Sequence, residues 1–386
     1  MIGVCIKYFH ENYGGMLQAY ATASMLERRG LSHELIRYEK KRTIPGIIRS
    51  LPRLMNRVLL NDKYEAFLKR RGMAAHPEIK ALDEKRMACF KRFNESHFTH
   101  LSPVFRGYDA LCAGASRYSA VITGSDQLWS PAGLPTNYYN LMFVPAEIRK
   151  ISLASSFGVS NIPWYQKKRT AQYLRRIEFV SMRENRGAQI VRELTDREVP
   201  VILDPVFSFD AAGWEELIPV EPVVDGPYIL AYFLGSDPVH RQAVKQAAAE
   251  LGCKIVTLPH MDQYVPADED FGDLRLYEIG PDQFLNLLRG ACCVCTDSFH
   301  GSCFAIIHGK PFVTFSRYRA NSGHSKNSRI DTLCQNLGLE DRRFTDAQAL
   351  IRQLRTPLDR AAVETRLAVL KKETDNYLNT ALEGIG

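Results

Sequence analysis

Short apolar segments alternate with segments of helical pattern along most of this chain, and that alternation restricts its fold more than any other feature. Residues 2–7 form an apolar segment, and a polar, glycine-containing loop follows it. Residues 16–29 then place Leu17, Tyr20 and Met25 on one side of a helix. Short strands that alternate with helices form a parallel sheet, which the helices cover on both faces. The sequence therefore predicts an α/β fold.

The alternation occurs in two groups along the chain, and this grouping predicts two domains. The first group has predicted strands at 2–7, 120–123, 151–154, 179–182 and 199–203. The second group has predicted strands at 228–234, 254–258, 292–296 and 312–315, with helices at 239–251, 282–288 and 301–307. A chain of 386 residues is long enough for two cores of ordinary size. We expect two Rossmann-like domains, at 1–210 and 225–345, that face each other across a cleft at the strand ends.

Two segments fall outside this alternation. Residues 40–100 are basic and helical in pattern, and we interpret them as an insertion in the N-terminal domain. Either their basic face is only solvated, or it contacts a membrane surface near a lipid-linked acceptor. The last helix, at 360–382 within a C-terminal segment at 357–386, has no domain of its own. We expect this helix to pack across both domains.

The charge of the chain favours anionic partners. The net charge is +7 at pH 7 and the isoelectric point is near 8.9, which suits phosphates, anionic lipid or nucleic acid. Neither an aromatic RNA-binding signature nor zinc-finger spacing is present, so nucleic acid is not an expected partner. No apolar run reaches the roughly 18 residues of a membrane-spanning helix, and no signal peptide is recognisable. We expect a protein of the cytoplasm or of the inner face of the membrane.

The cysteines do not indicate a metal site. Their number, nine, is odd, and Cys292, Cys293 and Cys295 lie in an apolar run that is typical of a buried strand. We interpret these three as small buried apolar residues. The sequence also lacks a convincing cluster of histidine and aspartate, so we expect that no metal takes part.

The segment 296–301, with the sequence TDSFHG, carries the strongest local signal for a site. It ends an apolar strand and begins a helix, and a helix N-terminus offers free backbone N–H groups and a partial positive charge. Gly301 and Ser302 let an anion approach closely, with Ser298 and His300 beside it. The segment therefore predicts a phosphate site with a histidine at its edge. The alternative is an ordinary Asp or Ser cap, with the histidine only packed.

Two more strand ends carry polar side chains. The motif GSDQLW places Asp126, Gln127 and Trp129 after a predicted strand, and this set is suited to binding sugar hydroxyls. A capped turn with a packed tryptophan is the alternative. Arg183 follows another predicted strand, at a helix start whose dipole disfavours a cation. We therefore expect its guanidinium to hold a ligand carboxylate through two hydrogen bonds.

Two loops complete the set of candidate residues. The first strand-to-helix loop carries four of them, Asn12, Tyr13, Gly14 and Gly15. A basic segment before a predicted helix carries three more, Lys326, Asn327 and Arg329. This segment is a candidate phosphate site, with a solvated charged cap as the alternative. The glycines of the first loop do not form a GxGxxG fingerprint, so NAD is not expected.

Seven motifs in order along the chain resemble the polysaccharide pyruvyl transferase family. They span roughly residues 1–340 and are NYGGMLQAYA at 12–21, GSDQLW at 124–129, SMRE at 181–184, LDPVF at 203–207, TDSFHG at 296–301, HGKPF at 308–312 and NSRI at 327–330. Each motif alone is modest, but seven in order are specific. The resemblance implies a fold similar to that of GT-B glycosyltransferases. Met182 departs from the β-branched residue that is usual at its position.

The resemblance also implies a reaction. The family transfers the pyruvyl group of phosphoenolpyruvate to two sugar hydroxyls, which gives a cyclic ketal and phosphate. Its donor-site arginine and histidine fall on Arg183 and His300, so we expect His300 to protonate the donor and Asp126 to act as the base. The expected donor-binding residues are Arg183, Ser298, Gly301, Ser302, Lys326, Asn327 and Arg329. The expected acceptor-binding residues are Asn12, Tyr13, Gly14, Gly15, Gln127 and Trp129. No cofactor is implied besides phosphoenolpyruvate as co-substrate.

Two other functions fit the same residues. A nucleotide-sugar glycosyltransferase of this architecture would use the site at His300 to hold a diphosphate. A non-catalytic protein that binds glycans or anions would need only the fold and the charge. The presence of both Arg183 and His300 in their motifs argues against this last function. The sequence does not specify the acceptor sugar or the positions of the ketal.

Overall fold

A computed structural model of the protein describes residues 1–9, 11–41, 56–260, 263–317 and 328–385. The strands in these residues are β1 (Ile2–Cys5), β2 (His33–Glu39), β3 (Leu101–Arg106), β4 (Ala120–Gly124), β5 (Arg149–Leu153), β6 (Tyr228–Tyr232), β7 (Lys254–Thr257), β8 (Leu274–Arg275), β9 (Cys293–Thr296) and β10 (Phe312–Thr314). The helices are α1 (Tyr13–Arg28), α2 (Arg57–Ala74), α3 (Pro77–His97), α4 (Tyr108–Ala115), α5 (Trp164–Arg176), α6 (Asn185–Thr195), α7 (Ala211–Leu217), α8 (Pro238–Leu251), α9 (Pro281–Gly290), α10 (Phe299–Ile307), α11 (Ser328–Leu337), α12 (Ala347–Arg355) and α13 (Arg360–Leu382).

The strands form two parallel sheets of five strands each. The first sheet has the order β3-β2-β1-β4-β5, and the second has the order β10-β9-β6-β7-β8. In the first sheet, Ile2 of β1 pairs with His33 of β2 on one side and with Ala120 of β4 on the other. Strand β6 takes the same central place in the second sheet. The predicted α/β fold with two parallel sheets is confirmed.

Both central strands are apolar because they lie in the middle of their sheets with helices packed on them. Every residue of β1 and β6 is buried. In β9, Cys293 and Cys295 are buried, as predicted. The prediction is wrong for Cys292, which is exposed because it precedes the strand. All nine cysteines are free thiols.

Two predicted strands of the first half are not regular strands. Residues 179–182 and 199–203 make isolated parallel bridges, which join Ile151 to Phe179, Ser155 to Met182, and Met182 to Val201. These bridges continue the first sheet beyond β5 in the same direction. The side chains that follow the two segments therefore still reach the same edge of the sheet as those that follow β4.

Three strands were not predicted, and each lacks a clear apolar pattern. Strand β2 carries Glu34 and Arg37, and β3 contains Pro103. Strand β8 has two residues, both exposed. Strands β3 and β8 lie at sheet edges, where proline and polar residues are tolerated because one side of the strand is unpaired.

The predicted insertion contributes helices α2 and α3, while residues 42–55 lie outside the described residues. Arg86 of α3 donates hydrogen bonds to three backbone carbonyls of the second half of the chain. These are the carbonyls of Pro259 (2.7 Å), Leu276 (2.8 Å) and Tyr277 (2.9 Å). Helix α3 therefore links the two halves of the molecule.

The last helix, α13, also touches both halves. Near its end, Tyr377 donates to the carbonyl of Ser152 in β5 (2.6 Å). At its start, the Arg360 guanidinium lies beside Gly309, which follows α10. None of the helices in the described part of the chain is both long and apolar enough to span a bilayer.

One apolar cluster runs from the first sheet to the second and contains residues of β1, β4, β6 and β9. Trp214 of α7 lies in this cluster and is fully buried. Its Nε1 donates to the carbonyl of Val206 (2.9 Å), and its ring meets the Phe304 ring of α10 edge to face, with centres 5.0 Å apart. The two sheets are therefore joined by a shared core.

Trp214→Ala is expected to lower the free energy of unfolding by about 3–5 kcal/mol, because it removes a large buried ring and leaves a cavity. Trp164→Ala is the matched control. Trp164 is 83% exposed, so its loss should change the stability by less than about 0.5 kcal/mol. Urea unfolding followed by circular dichroism compares the two variants, and equal midpoints would contradict a shared core at Trp214.

Candidate active site

Polar side chains that follow separate strand-like segments meet between the two sheets. Asp126 follows β4, Arg183 follows the bridged segment 179–182, and Asp204 follows the next bridged segment. Parallel strands end at the same edge of a sheet, so the fold brings these three side chains together. His300 comes from the second sheet, at the start of α10. It reaches the cluster because α1 packs against α9 and α10.

Asp204 is the centre of this cluster and is fully buried. Its Oδ2 accepts from Arg183 Nη1 (2.7 Å) and Ser125 Oγ (2.8 Å), and it lies 3.5 Å from His300 Nε2. Its Oδ1 accepts from the backbone N–H of Val206 (3.1 Å). Burial alone would raise the pKa of Asp204, but His300 and Arg183 hold it well below its ordinary range. The carboxylate is therefore a fixed anion between the two domains.

Arg183 is buried, and the protein uses only part of its hydrogen-bonding capacity. Its Nη1 bonds Asp204 and also Ser125 Oγ (3.2 Å), while its Nη2 lies 3.8 Å from Asp126 Oδ1. Its guanidinium carbon lies 4.5 Å from the centre of the Phe299 ring. Among the described residues, neither Nε nor Nη2 has a hydrogen-bond partner. These two N–H groups lie on one edge of the guanidinium and can together hold a carboxylate through two hydrogen bonds.

His300 lies in the first turn of α10, which Ser298 caps. The Ser298 Oγ accepts from the backbone N–H of Gly301 (3.3 Å), and Ser302 Oγ donates to the carbonyl of Ser298 (3.1 Å). Both hydroxyls are thus used within the helix, which favours the capping role considered for Ser298 over direct donor binding. His300 Nε2 is buried and, within the described ranges, makes no hydrogen bond.

The first turn of α1 supports His300 from the other domain. A Cβ at Gly14 would lie 2.3 Å from His300 Cβ, so no other residue fits there without displacing the histidine. Tyr13 is buried, its hydroxyl donates to the carbonyl of Ile279 (3.1 Å), and its ring stacks on Phe284 at 4.8 Å. Both residues therefore join the two domains beside the site.

Asp126 is the more accessible carboxylate, with 24% of its side chain exposed. Its backbone is left-handed (φ +55°), and its carboxylate lies 3.8 Å from both Lys7 Nζ and Arg183 Nη2. Burial would raise the pKa of Asp126, but neighbouring basic groups hold it well below its ordinary range. These groups are Lys7, Arg183, His300 and Arg329. Asp126 is therefore ionised and a weak base.

Arg329 of α11 is a second buried cation at this site. Its guanidinium carbon lies 5.7 Å from the centre of the Phe299 ring, which Arg183 also contacts. Burial and the charge of Arg183 lower the pKa of Arg329 to about 10. The Gln127 amide faces Arg329, and in the orientation that satisfies both groups its oxygen accepts from Nη1 (3.0 Å). The two residues predicted together with Arg329, Lys326 and Asn327, lie outside the described residues.

A cavity of about 410 Å³ opens between the domains, a size within the range of small-ligand pockets. Its lining includes Lys7, Asn12, Tyr13, Gly15 and Asp126 from the first domain, Arg86, Met87 and Phe90 from α3, and Leu258, Pro259 and His260 from the second domain. Asn12 Oδ1 accepts from the backbone N–H of Gly15 (2.8 Å) and so caps α1. Asp126 lies on the wall that this cavity shares with the buried cluster.

Trp129 does not reach this site, so the prediction that it binds the acceptor is wrong. Its ring is buried, with the rings of Phe157 and Tyr173 each 5.5 Å away between centres. Its Nε1 donates to the carbonyl of Tyr139 (3.1 Å). The alternative of a packed tryptophan, considered from the sequence, is what the structure shows.

Asp204, Ser125 and Lys7 were not predicted as site residues. Asp204 precedes a proline, and an Asp-Pro pair after a strand is most often a turn. Its position was the available signal, because it follows an apolar segment at the same sheet edge as Asp126. Ser125 and Lys7 follow strands β4 and β1, but a lone serine or lysine carries little signal by itself.

The described residues contain no group of three His, Cys, Asp or Glu side chains that could hold a metal ion. The two aspartates of the site are paired with cations instead, Asp204 with Arg183 and Asp126 with Lys7. These cations compete with a metal for the carboxylates. The expectation that no metal takes part stays a prediction.

Comparison with known proteins gave one family. A sequence model described as polysaccharide pyruvyl transferase matches residues 12–318. A search of curated proteins gave no significant match. Similar solved structures include the UDP-GlcNAc 2-epimerase of Methanocaldococcus jannaschii, with 9% identity, 97% of this chain and 99% of that chain covered, and a TM-score of 0.48. They also include the glycosyltransferase SnogD of Streptomyces nogalater, with 13% identity, 99% of this chain and 98% of that chain covered, and a TM-score of 0.43.

Asp204→Asn should lower the free energy of unfolding at pH 7 by about 3–5 kcal/mol, because it leaves the buried Arg183 charge unpaired. The folded-state pKa of Asp204 is lowered, so its stabilising effect is present above the unfolded pKa and is lost as the pH falls. The variant should therefore lose less stability than the wild type when the pH falls from about 5 to about 2.

Urea unfolding over a series of pH values measures this difference. Asp225→Asn is the matched control, since Asp225 is exposed and its variant should follow the wild type. An acid profile of the Asp204 variant that is identical to the wild-type profile would show that Asp204 is not the buried anion described.

Proposed function

The chain belongs to the polysaccharide pyruvyl transferase family, and from this premise we propose that it transfers the pyruvyl group of phosphoenolpyruvate onto two hydroxyls of a sugar. The acceptor is a polysaccharide or a lipid-linked glycan precursor, and the products are a cyclic ketal and phosphate. One observation carries the proposal. Two buried guanidiniums, of Arg183 and Arg329, lie at one aromatic ring with His300 beside them.

The donor presents two anionic groups, and the cluster offers two cations for them. We assign the donor carboxylate to Arg183, whose Nε and Nη2 lack partners among the described residues. We assign the phosphate to Arg329. Burial is the main cause of the lowered pKa of Arg329, and the charge of Arg183 lowers it further, so an anion between the two guanidiniums would relieve that repulsion.

In the proposed reaction His300, as the imidazolium, gives its proton to the CH₂ carbon of the donor, and C2 becomes an electrophile. One sugar hydroxyl adds to C2 and gives its proton to the base. The base passes this proton to His300, which becomes an imidazolium again. The bond from C2 to the phosphate oxygen breaks, and the phosphate leaves with the electron pair. A neighbouring hydroxyl then adds to C2 and closes the ketal, and its proton leaves with the phosphate.

We assign Asp126 as the base. The surrounding cations keep its pKa low. A bound donor brings negative charge to Arg183 and Arg329, which weakens their attraction for Asp126 and raises its proton affinity. Asp126 also lines the interdomain cavity, where we propose that the acceptor binds. Asp204 is too deeply buried for this role.

The direct test is mass spectrometry of candidate lipid-linked oligosaccharides after incubation with the protein and phosphoenolpyruvate. We expect a pyruvyl ketal adduct and an equal amount of released phosphate. In deuterated water, the new methyl group should carry one solvent deuterium, because the CH₂ carbon gains a proton. Phosphoenolpyruvate should also raise the melting temperature by mass action. A nucleotide sugar that stabilises the protein when phosphoenolpyruvate does not would instead indicate a glycosyltransferase.

His300→Gln should lower kcat by about 10²- to 10⁴-fold at saturating donor, because the amide has no proton to transfer. The donor KM should change less, since the amide keeps a polar contact. His100→Gln is the matched control, because His100 is exposed on the surface, and it should have wild-type kinetics. A rise in donor KM with kcat retained would make His300 a phosphate ligand and not the acid.

A further inference from the structure

Large apolar side chains are concentrated on one part of the surface. Six of the eleven that are exposed in the described part of the chain lie on α2 and at the start of α5. They are Leu60, Tyr64, Phe67 and Leu68 on α2, and Trp164 and Tyr165 on α5. Exposed apolar side chains that cluster in this way mark a contact site.

The four residues on α2 form a stripe. Positions 60, 64, 67 and 68 recur at intervals of three and four residues, so they share one face of the helix. Their exposed fractions range from 42% to 63%. Lys63 and Arg71 are exposed on the same helix. The stripe is therefore exposed on a helix that also exposes cations.

The start of α5 combines an exposed ring with positive charge. Trp164 is 83% exposed, and Lys167, Lys168 and Arg169 follow it on the surface. The sequence of α5, WYQKKRTAQYLRR, contains no acidic residue. A tryptophan beside lysines and arginines is typical of a segment that lies in the interface of an anionic bilayer.

The two helices begin side by side. Asn56, directly before α2, accepts a hydrogen bond from the Tyr165 hydroxyl of α5 (3.1 Å). Asn56 Nδ2 and Gln166 Nε2 both donate to the carbonyl of Pro131, at 3.2 Å and 3.1 Å. The starts of α2 and α5 therefore lie side by side, and we call the apolar stripe of α2 together with the basic start of α5 the α2–α5 surface.

We propose that the α2–α5 surface binds an anionic phospholipid membrane, with the apolar residues at the acyl boundary and the lysines and Arg169 at the headgroups. The positive charge of this surface favours a membrane over a second copy of the chain as its partner. A symmetric contact between two copies would bring two identical basic surfaces together, and their like charges repel. An anionic headgroup layer neutralises them instead.

The surface is also connected to the interdomain cavity. Helix α2 packs on α3, and Arg86, Met87 and Phe90 of α3 line that cavity. A bilayer at the α2–α5 surface would therefore be joined to the cavity wall through a pair of packed helices. The membrane contact itself does not depend on the proposed reaction, because neither donor nor acceptor takes part in it.

Intrinsic fluorescence of the full chain tests the proposal, because the three tryptophans differ in exposure. Trp129 and Trp214 are buried, so a change in emission on adding vesicles reports on Trp164. Vesicles of phosphatidylcholine with phosphatidylglycerol should shift the emission to shorter wavelength, and vesicles of phosphatidylcholine alone should not. Trp164→Phe should abolish the shift. Added salt should weaken the binding, since it screens the attraction between the surface and the headgroups.

Co-sedimentation with the same vesicles measures affinity in variants. Lys167→Gln with Lys168→Gln should weaken binding by about tenfold or more, and Lys245→Gln, at an exposed position of α8, should leave it unchanged. Tyr64→Ser with Phe67→Ser should weaken it by about tenfold, with Val369→Ser as the control at a similar exposure.

Three outcomes would overturn the proposal. The wild type could fail to bind anionic vesicles, or the α2 and α5 variants could bind as well as the wild type. Sedimentation velocity could also show a dimer that Tyr64→Ser with Phe67→Ser dissociates, which would make the surface a contact between copies. Neither phosphoenolpyruvate nor a sugar is present in these assays, so their failure leaves the proposed reaction untouched.

Discussion

The arrangement of the site depends on the buried carboxylate of Asp204. Arg183 and Ser125, from two other loops of the first domain, share this carboxylate, and His300 of the second domain lies 3.5 Å away. A buried carboxylate is stable only when it is paired and hydrogen-bonded, and a buried guanidinium has the same requirement. Each of these groups therefore fixes the position of the others. The buried cations are held in a fixed arrangement in a site that excludes water.

The second constraint is the distance between the two sheets. Gly14 leaves no room for a side chain against His300, and Tyr13 stacks on Phe284 across the same junction. His300 thus belongs to one domain, while Arg183 belongs to the other. The site is complete only while the domains keep this separation, and the shared apolar core around Trp214 maintains it.

The sequence predicted the class of fold and the residues at strand ends, because both follow from regular patterns. Asp126 and Arg183 meet since parallel strands end at a common edge, and His300 joins them from the second sheet. The positions of the other site residues depend on side-chain packing, which the sequence pattern does not show. Trp129 turns into the core, a choice that the motif GSDQLW does not reveal, and Asp204 has the local sequence of an ordinary turn. Strands β2 and β3 were not predicted because charged residues and a proline interrupt their apolar pattern.

The three hydrogen bonds of Arg86 affect which parts of the cavity can change in sequence during evolution. The guanidinium holds the loops after β7 and β8 through the carbonyls of Pro259, Leu276 and Tyr277. Carbonyls are common to all amino acids, so the attachment of α3 does not require particular side chains in those loops. Descendants of such a chain can exchange the side chains that face the cavity, and so change the shape and polarity of its lining, while the wall of the cavity keeps its place.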